Sequence, residues 1–319
     1  MEAKLNLGEV FRKPKISIGL PTYNGGKKII NAVASVFAQR YNNIEIIISD
    51  NCSTDDTEEV CTTLCHRFPS IRYYRQPINR GVTANYNFVL QQATGDYFLW
   101  LADDDTLEPG ILHLYADFLQ DNPDYSLVSG QVKYWHENTL ALIEKDFSME
   151  QSSPFLRVVS YYFKVMHGAM FYGLMDRRLA QSIPLRGRIG DDWHFVASVA
   201  FTGKIKNLEV PGYNKKFGGL SINMKAYAKA MGASWFTANF PHVRIAFDTI
   251  SEIVYLSPQY SGVNIFSRYL LGLASCASVL ISHYFKVYPF IVGGRIKRIV
   301  LKPYQHWQHW SVPVGKVKS

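Results

Sequence analysis

Short apolar runs alternate with longer stretches of helical period through the first third of the chain. Lys15-Ile16-Ser17-Ile18-Gly19-Leu20 has the length and β-branched content of a buried strand, and Pro21 stops it. A helical pattern follows from Lys27 to about Gln39, and Ile44 to Ser49 forms a second apolar run that ends at Asp50-Asn51. Thr54 is placed to cap the next helix, whose first turn holds Asp55, Asp56 and Glu58. Ile71 to Arg75 predicts a third strand, Gly81 to Ala93 a helix, and Tyr97-Phe98-Leu99-Trp100-Leu101 a fourth strand. Glu108-Pro109 then opens another helix. This alternation predicts an α/β fold with a doubly wound, mostly parallel sheet.

Beyond Asn122 the pattern loosens. Tyr125 to Tyr134 reads as a strand, Gln151 to Met166 contains a helical stretch, and Asp192 to Phe201 is a helix entered through Gly190-Asp191. From about Ala226 the chain is mainly helical, then basic and aromatic. A stretch from Tyr269 to Phe285, bounded by Arg268 and Lys286, is the most membrane-like. Ser275, Ser278, Ser282 and His283 interrupt it, and it falls short of the roughly 20 apolar residues that span a bilayer. A buried or interfacial helix is expected there.

With 319 residues, 47% of them hydrophobic, the chain can bury a sizeable core. Its net charge of +8 points to an anionic partner. Four cysteines, Cys52, Cys61, Cys65 and Cys276, are too few for a disulfide framework and fit a reducing cytoplasm. Cys61, Cys65 and His66 share a predicted helix but lack a fourth metal ligand in sequence. Residues 1–15 lack the apolar core of a signal peptide.

The candidate chemistry lies at the strand ends. Asp103-Asp104-Asp105 follows the fourth strand directly, at the sheet edge where ligands bind in open α/β folds. Three packed carboxylates repel one another, and a hard cation such as Mg²⁺ or Mn²⁺ removes that cost and can hold a phosphate. The first strand delivers Pro21-Thr22-Tyr23-Asn24 to the same edge, and the second delivers Ser49-Asp50-Asn51-Cys52-Ser53-Thr54-Asp55. Together they predict a polar crevice.

These pieces, with Asn79-Arg80-Gly81, Ala93-Thr94-Gly95-Asp96-Tyr97 and Pro109 after the triplet, resemble the nucleotide-sugar-dependent glycosyltransferases of family 2, over residues 15 to about 220. The resemblance implies the GT-A fold. It also implies a catalytic domain over 1–225 with a nucleotide-sugar half at about 15–122 and an acceptor half at about 123–225. A helical, basic extension would cover 226–319. Pro21, Thr22, Tyr23, Asn24, Asp50, Asn51, Asn79 and Gly81 match donor-binding positions, and Asp50 matches the aspartate that accepts from a ring N–H of the base. Asp104 matches the direct metal ligand, with Asp103 near the ribose or metal and Asp105 completing the set. Asp191-Asp192 matches the acidic pair whose second member is the base in inverting members, and both remain candidates because position 191 is usually glutamate. Tyr213 to Ser221 resembles the loop that closes over the diphosphate, where Lys216 would pair with phosphate. Trp193 is either a sugar-stacking or a core residue.

The implied activity is inverting transfer of a sugar from a nucleoside diphosphate to a sugar or lipid-linked sugar acceptor, in surface polysaccharide or glycolipid assembly. The C-terminal part adds Arg295, Lys297, Arg298, Lys302, Lys316 and Lys318 among apolar and aromatic residues. That composition suits either the face of an anionic membrane or a solvated basic surface. On the first reading the enzyme is cytoplasmic and peripheral at the inner leaflet. The rivals are a nucleotidyltransferase acting on sugar phosphates, for which Gly25-Gly26-Lys27-Lys28 is too short a phosphate loop, and a basic scaffold. A nucleic-acid binder is disfavoured, since aspartates line the crevice and repel phosphate without a metal.

Overall fold

The computed structural model of the chain describes residues 13–136, 138–166, 168–216, 227–228 and 231–287. The segment 217–221 and the basic tail beyond 287 therefore lie outside the described residues. Strands β1 (Ile16–Thr22), β2 (Ile44–Asp50), β3 (Ile71–Arg75) and β4 (Tyr97–Trp100) alternate with helices α1 (Lys28–Phe37), α2 (Thr57–Arg67) and α3 (Val82–Gln91). The four strands pair in the order β3-β2-β1-β4, all parallel, as the alternation predicts. Next come β5 (Thr106–Leu107), α4 (Ile111–Asp121), β6 (Tyr125–His136), β7 (Thr139–Glu144) and α5 (Pro154–Lys164). Then follow β8 (Leu174–Asp176), α6 (Arg177–Gln181), α7 (Asp191–Thr202) and β9 (Lys204–Lys216). Here the sheet becomes mixed: β8 runs antiparallel between β4 and β6, and β9 runs parallel to β6. Helices α8 (Trp235–Asn239), α9 (Pro241–Ser251) and α10 (Ile265–Val287) end the described chain, with a π-helical turn at Glu252–Leu256.

Side chains of the parallel strands alternate between two cores. Ile46, Ile48, Leu99 and Leu101 pack with α1, α2 and α4 on one face, while Ile47, Phe98 and Trp100 pack toward α3, α5 and α7 on the other. The sheet is thus doubly wound. Residues of α9 and α10, among them Ile245, Leu271 and Val279, share the second core with Phe195 and Val196 of α7.

Two local expectations fail for physical reasons. Thr54 does not cap α2: its amide donates to Asn24 Oδ1 in the neighbouring loop, and Asp55 takes the amide of Thr57 instead. The stretch from Tyr213 to Lys216, expected as the start of the loop over the diphosphate, is instead the end of the run Lys204–Lys216, which contains Pro211, Gly212 and Asn214. The whole run is a strand because shifts of register between Gly130 and Val132 let β6 follow it past those residues.

Glu45 pins the amino-terminal edge of the sheet. It is buried and accepts from Lys15 Nζ, Ser17 Oγ, Arg72 Nη2 and the amide and hydroxyl of Thr94. Burial pushes its pKa up, but the bonds from Lys15, Ser17 and Thr94 outweigh this and hold it at about 2. Glu45→Gln is expected to cost about 3 kcal/mol in urea denaturation at pH 7, because it strips a buried charge pair of one partner. In the unmodified chain this contribution is present above the ordinary value of 4.5 and lost as pH falls toward 2. The variant should lack that dependence.

Candidate active site

Thr22 lies opposite Asp50 and Gly19 opposite Trp100, so the carboxyl ends of β1, β2 and β4 finish on one edge. Asn85 of α3 ties two of these ends together, donating from Nδ2 to the carbonyls of Thr22 and Ser49. The loops beyond them clasp each other: the Asn24 amide donates to Ser53 Oγ, and the Thr54 amide donates back to Asn24 Oδ1. Asn24 and Cys52 take left-handed backbone angles, φ 54° and 64°, at these turns. Asn51 bridges to the segment after β3, donating to Asn79 Oδ1 and accepting from the Arg80 amide, and the Gly81 amide donates to Asn79. Pro21 and Thr22 are buried under this edge, and Tyr23 stands exposed at its mouth. Asp50 is fully buried, with Oδ1 accepting from the Ser53 amide and Oδ2 from Tyr73. Its immediate effect is to set the shape of the loop; each oxygen keeps a second lone pair.

The aspartate triplet presents three different environments. Asp103 accepts from Thr22 Oγ1, and its pKa is raised by burial, with that hydrogen bond pulling the other way. Gly25 passes so close that a methyl group there would collide with both Asp103 and Thr22. Asp104 is exposed. Asp105 is buried; Oδ1 accepts from the Lys216 amide at 3.1 Å, and Oδ2 is buried without a hydrogen-bond partner. Burial pushes Asp105 up to about 7, with Lys215 opposing and Asp104 reinforcing the shift.

No three His, Cys, Asp or Glu side chains among the described residues form a ready-made metal cage. An open carboxylate beside a half-buried one, with an orphaned carboxylate oxygen close by, still fits Mg²⁺ or Mn²⁺. Such ions commonly take one or two protein carboxylates and complete their shell with phosphate and water.

The two aspartates at the start of α7 differ sharply. Asp191 Oδ2 accepts from the amides of Arg186, Gly187 and Arg188 at 2.6–2.9 Å, and Oδ1 accepts from Arg188 Nε. Arg188 in turn pairs with the buried Glu252 at 2.6 Å, and Gly190 packs against Ile245 of α9. Asp191 therefore fastens its loop to the C-terminal helices. Asp192 makes no such cage. Burial pushes it up to about 6, and the Trp193 amide and Lys215 pull it part of the way back. The charge of Lys215 lowers both Asp105 and Asp192, so the triplet and the acidic pair feel the same cation. Its ammonium lies 4.4 Å from the Tyr172 ring.

Residues 17–183, just over half of the chain, match the model of Glycosyl transferase family 2. The chain belongs to this family. Among its relatives is the GalNAc(5)-diNAcBac-PP-undecaprenol beta-1,3-glucosyltransferase of Campylobacter jejuni, 34% identical over 136 residues, which are 42% of each chain. Chondroitin synthase of Escherichia coli is 32% identical over 114 residues, 36% of this chain and 16% of that one. The match spans less than half of the length of each of these relatives, and 19% of a Rickettsia felis glycosyltransferase. The fold is that of S. aureus TarS 1-349 in complex with UDP-GlcNAc, at a TM-score of 0.61 and 17% identity, covering 87% of this chain and 76% of that one. It is the GT-A fold.

In this family 2 chain the structure brings Pro21, Thr22, Tyr23, Asn24, Asp50, Asn51, Asn79, Gly81 and Asp103–Asp105 to one sheet edge, while Asp192 starts α7 apart from them and shares with Asp105 the influence of Lys215. Lys216 takes part through its amide, while its side chain is exposed. Trp193 is 9% exposed, with its ring beside His242, and is a core residue. Three contributors carry no sequence signal of a site: Asn85 sits inside a helix, Lys215 sits beside another lysine, and Gly168 sits in a loop.

Gly168 has a specific effect. A methyl group there would collide with Asp192 Oδ2. Gly168→Ala is expected to displace that carboxylate and lower kcat about 100-fold, with the donor KM and the melting temperature little changed. Steady-state kinetics on the two proteins checks this.

Proposed function

We propose that this enzyme transfers a sugar from a nucleoside diphosphate to a hydroxyl acceptor with inversion, in the assembly of a surface polysaccharide or glycolipid. The observation that carries the reading is the pairing of an acidic strand edge with a separate, uncaged carboxyl at Asp192, which lies against Gly168 and feels the same Lys215 charge as Asp105. The TarS structure of the same fold holds UDP-GlcNAc, and the C. jejuni relative is named for a polyprenyl-linked acceptor. We assign the donor to the half at about 15–122 and the acceptor to the half at about 123–225, with the helices from 226 bracing the base.

In this mechanism Tyr23 and the loops of Asn24, Asn51, Asn79 and Gly81 receive the nucleoside, and Asp50 holds their shape beneath it and offers its remaining lone pairs to the base. Asp104 and Asp103 would hold a divalent ion, with Asp105 beneath, and the ion would supply positive charge for the departing diphosphate. Asp192 accepts the proton of the acceptor O–H as that oxygen bonds to the anomeric carbon. The bond from that carbon to the diphosphate oxygen breaks, and its electron pair leaves with the diphosphate. Lys215 faces the charge that builds there. A single displacement of this kind inverts the anomeric centre.

The deciding experiment is donor binding and turnover with UDP-, GDP- and dTDP-sugars, with and without Mn²⁺, beside Asp104→Ala. Metal-dependent binding of one donor, lost in the variant, is expected; folded protein that binds none of them with metal present would overturn the reading. Asp192 must be ionised to accept a proton, so kcat/KM should fall about tenfold per pH unit below about 6. Asp192→Asn should cost about 10³ in kcat. It should also stabilise the fold at pH 7.5 by about 1 kcal/mol after allowance for solvent screening. The sign follows from the raised pKa: folding disfavours the ionised form, and that cost is present above pH 6 only where the aspartate remains.

A further inference from the structure

Helix α10 is built the wrong way round for a helix in water. Its inward face, against α5 and α9, sets two large apolar residues, Leu271 and Val279, among five small ones, Gly272, Ser275, Cys276, Ser278 and Ser282. Its outward face carries the large apolar ones, Ile265, Phe266, Tyr269, Leu270, Leu273 and Ile281, with Phe266 69% and Leu273 56% exposed. Ala274 and Ala277 fill the gaps in that stripe, and no charged side chain interrupts it. Arg268 is turned away, donating to the carbonyls of Val254 and Val263. Tyr255, 65% exposed, extends the patch through its contact with Tyr269. Small residues between helices and large apolar ones outside is the distribution of helices that face lipid.

Charge points to the same occupant. Glu252 is the last acidic residue of the chain, and residues 253–319 hold eight lysines and arginines. The first 252 residues carry 26 basic and 26 acidic side chains, so the entire net charge of +8 follows Glu252. Thirty-two residues continue beyond Val287, with Arg295, Lys297, Arg298 and Lys302 soon after the helix. Two copies of the chain meeting at this end would bring like charges together; an anionic surface would neutralise them.

We propose that the outward face of α10 and the basic segment after it seat the enzyme on an anionic lipid bilayer, with the helix in the interfacial plane. Contrary to the expectation from its serines and histidine, the window Ile265–His283, with a mean hydropathy of 1.5, is long and apolar enough to cross a membrane. Its attachment to α5 and α9 argues against crossing: the helix could enter the hydrocarbon only by taking with it a body that carries Arg157, Arg244 and Asp248. Lying flat, it buries one apolar stripe to a shallow depth while the basic residues meet the headgroups. This proposal does not rest on the assignment of donor or base.

Flotation of the full chain with vesicles tests it, using phosphatidylcholine alone and phosphatidylcholine mixed with phosphatidylglycerol. Binding to the mixed vesicles only, weakening as salt is raised, is expected. Leu270→Glu with Leu273→Glu should weaken it about 100-fold through loss of apolar burial. Arg295→Ala, Lys297→Ala and Arg298→Ala together should do the same at about tenfold or less per charge. Both variants should keep the parent's circular dichroism, melting temperature and turnover of a soluble acceptor. Absence of binding by the parent chain overturns the proposal, and so does binding that survives Leu270→Glu with Leu273→Glu. A dimer in light scattering that this pair dissolves, without lipid binding, would assign the face to a second copy instead.

Discussion

Glu45 of β2 ties four parallel strands together by collecting donors from the other three: Lys15 and Ser17 at the start of β1, Arg72 of β3, and Thr94 just before β4. Side chains alternate across a sheet, so a slip of one residue would exchange its two faces and carry Asp50 or the triplet away from the crevice. The clamp sits at the amino-terminal edge and the chemistry at the carboxyl edge. One carboxylate is held far below its ordinary pKa at one end, while three at the other, Asp103, Asp105 and Asp192, are held above it. The stable end anchors strands whose other ends carry costly charge.

Asp191 and Asp192 show how little sequence distance separates structure from chemistry. Both begin the same helix. One faces three backbone amides in the preceding loop and becomes a fastening; its neighbour, turned about 100° around the helix, faces a buried surface where ionisation is disfavoured. The fastening also reaches the C-terminal helices through Arg188 and Glu252, so the loop that leads into α7 is braced by a part of the chain that bears no recognisable motif.

The parallel half of the fold was legible because each strand there is a short, mainly apolar run between helical stretches, and the strand ends carry polar residues of distinctive order. The mixed half was legible only in part: β6, α5 and α7 stand where the sequence put them, while β7 has no buried residue, β8 is three residues long, and β9 passes through proline and glycine. The choice between Lys215 and Lys216 depends on which face of β9 each occupies, and a residue in a strand that is not recognised has no face. Gly168 and Asn85 act through what their size or amide does to partners far away in sequence, which no local pattern encodes. The stripe on α10 was visible as hydrophobicity, and only packing shows that its larger side chains point outward.

The division of charge at Glu252 bears on how ligands arrive. A body with balanced charge exerts little net long-range pull on a dianionic donor, and the aspartates at the crevice repel it at short range until a cation offsets them. Whatever field reaches beyond a Debye length of about 10 Å in ordinary buffer comes from the other end of the chain. Ionic strength would then act at two separate ends of the chain, screening the repulsion at the acidic crevice at one and any attraction to an anionic surface at the other.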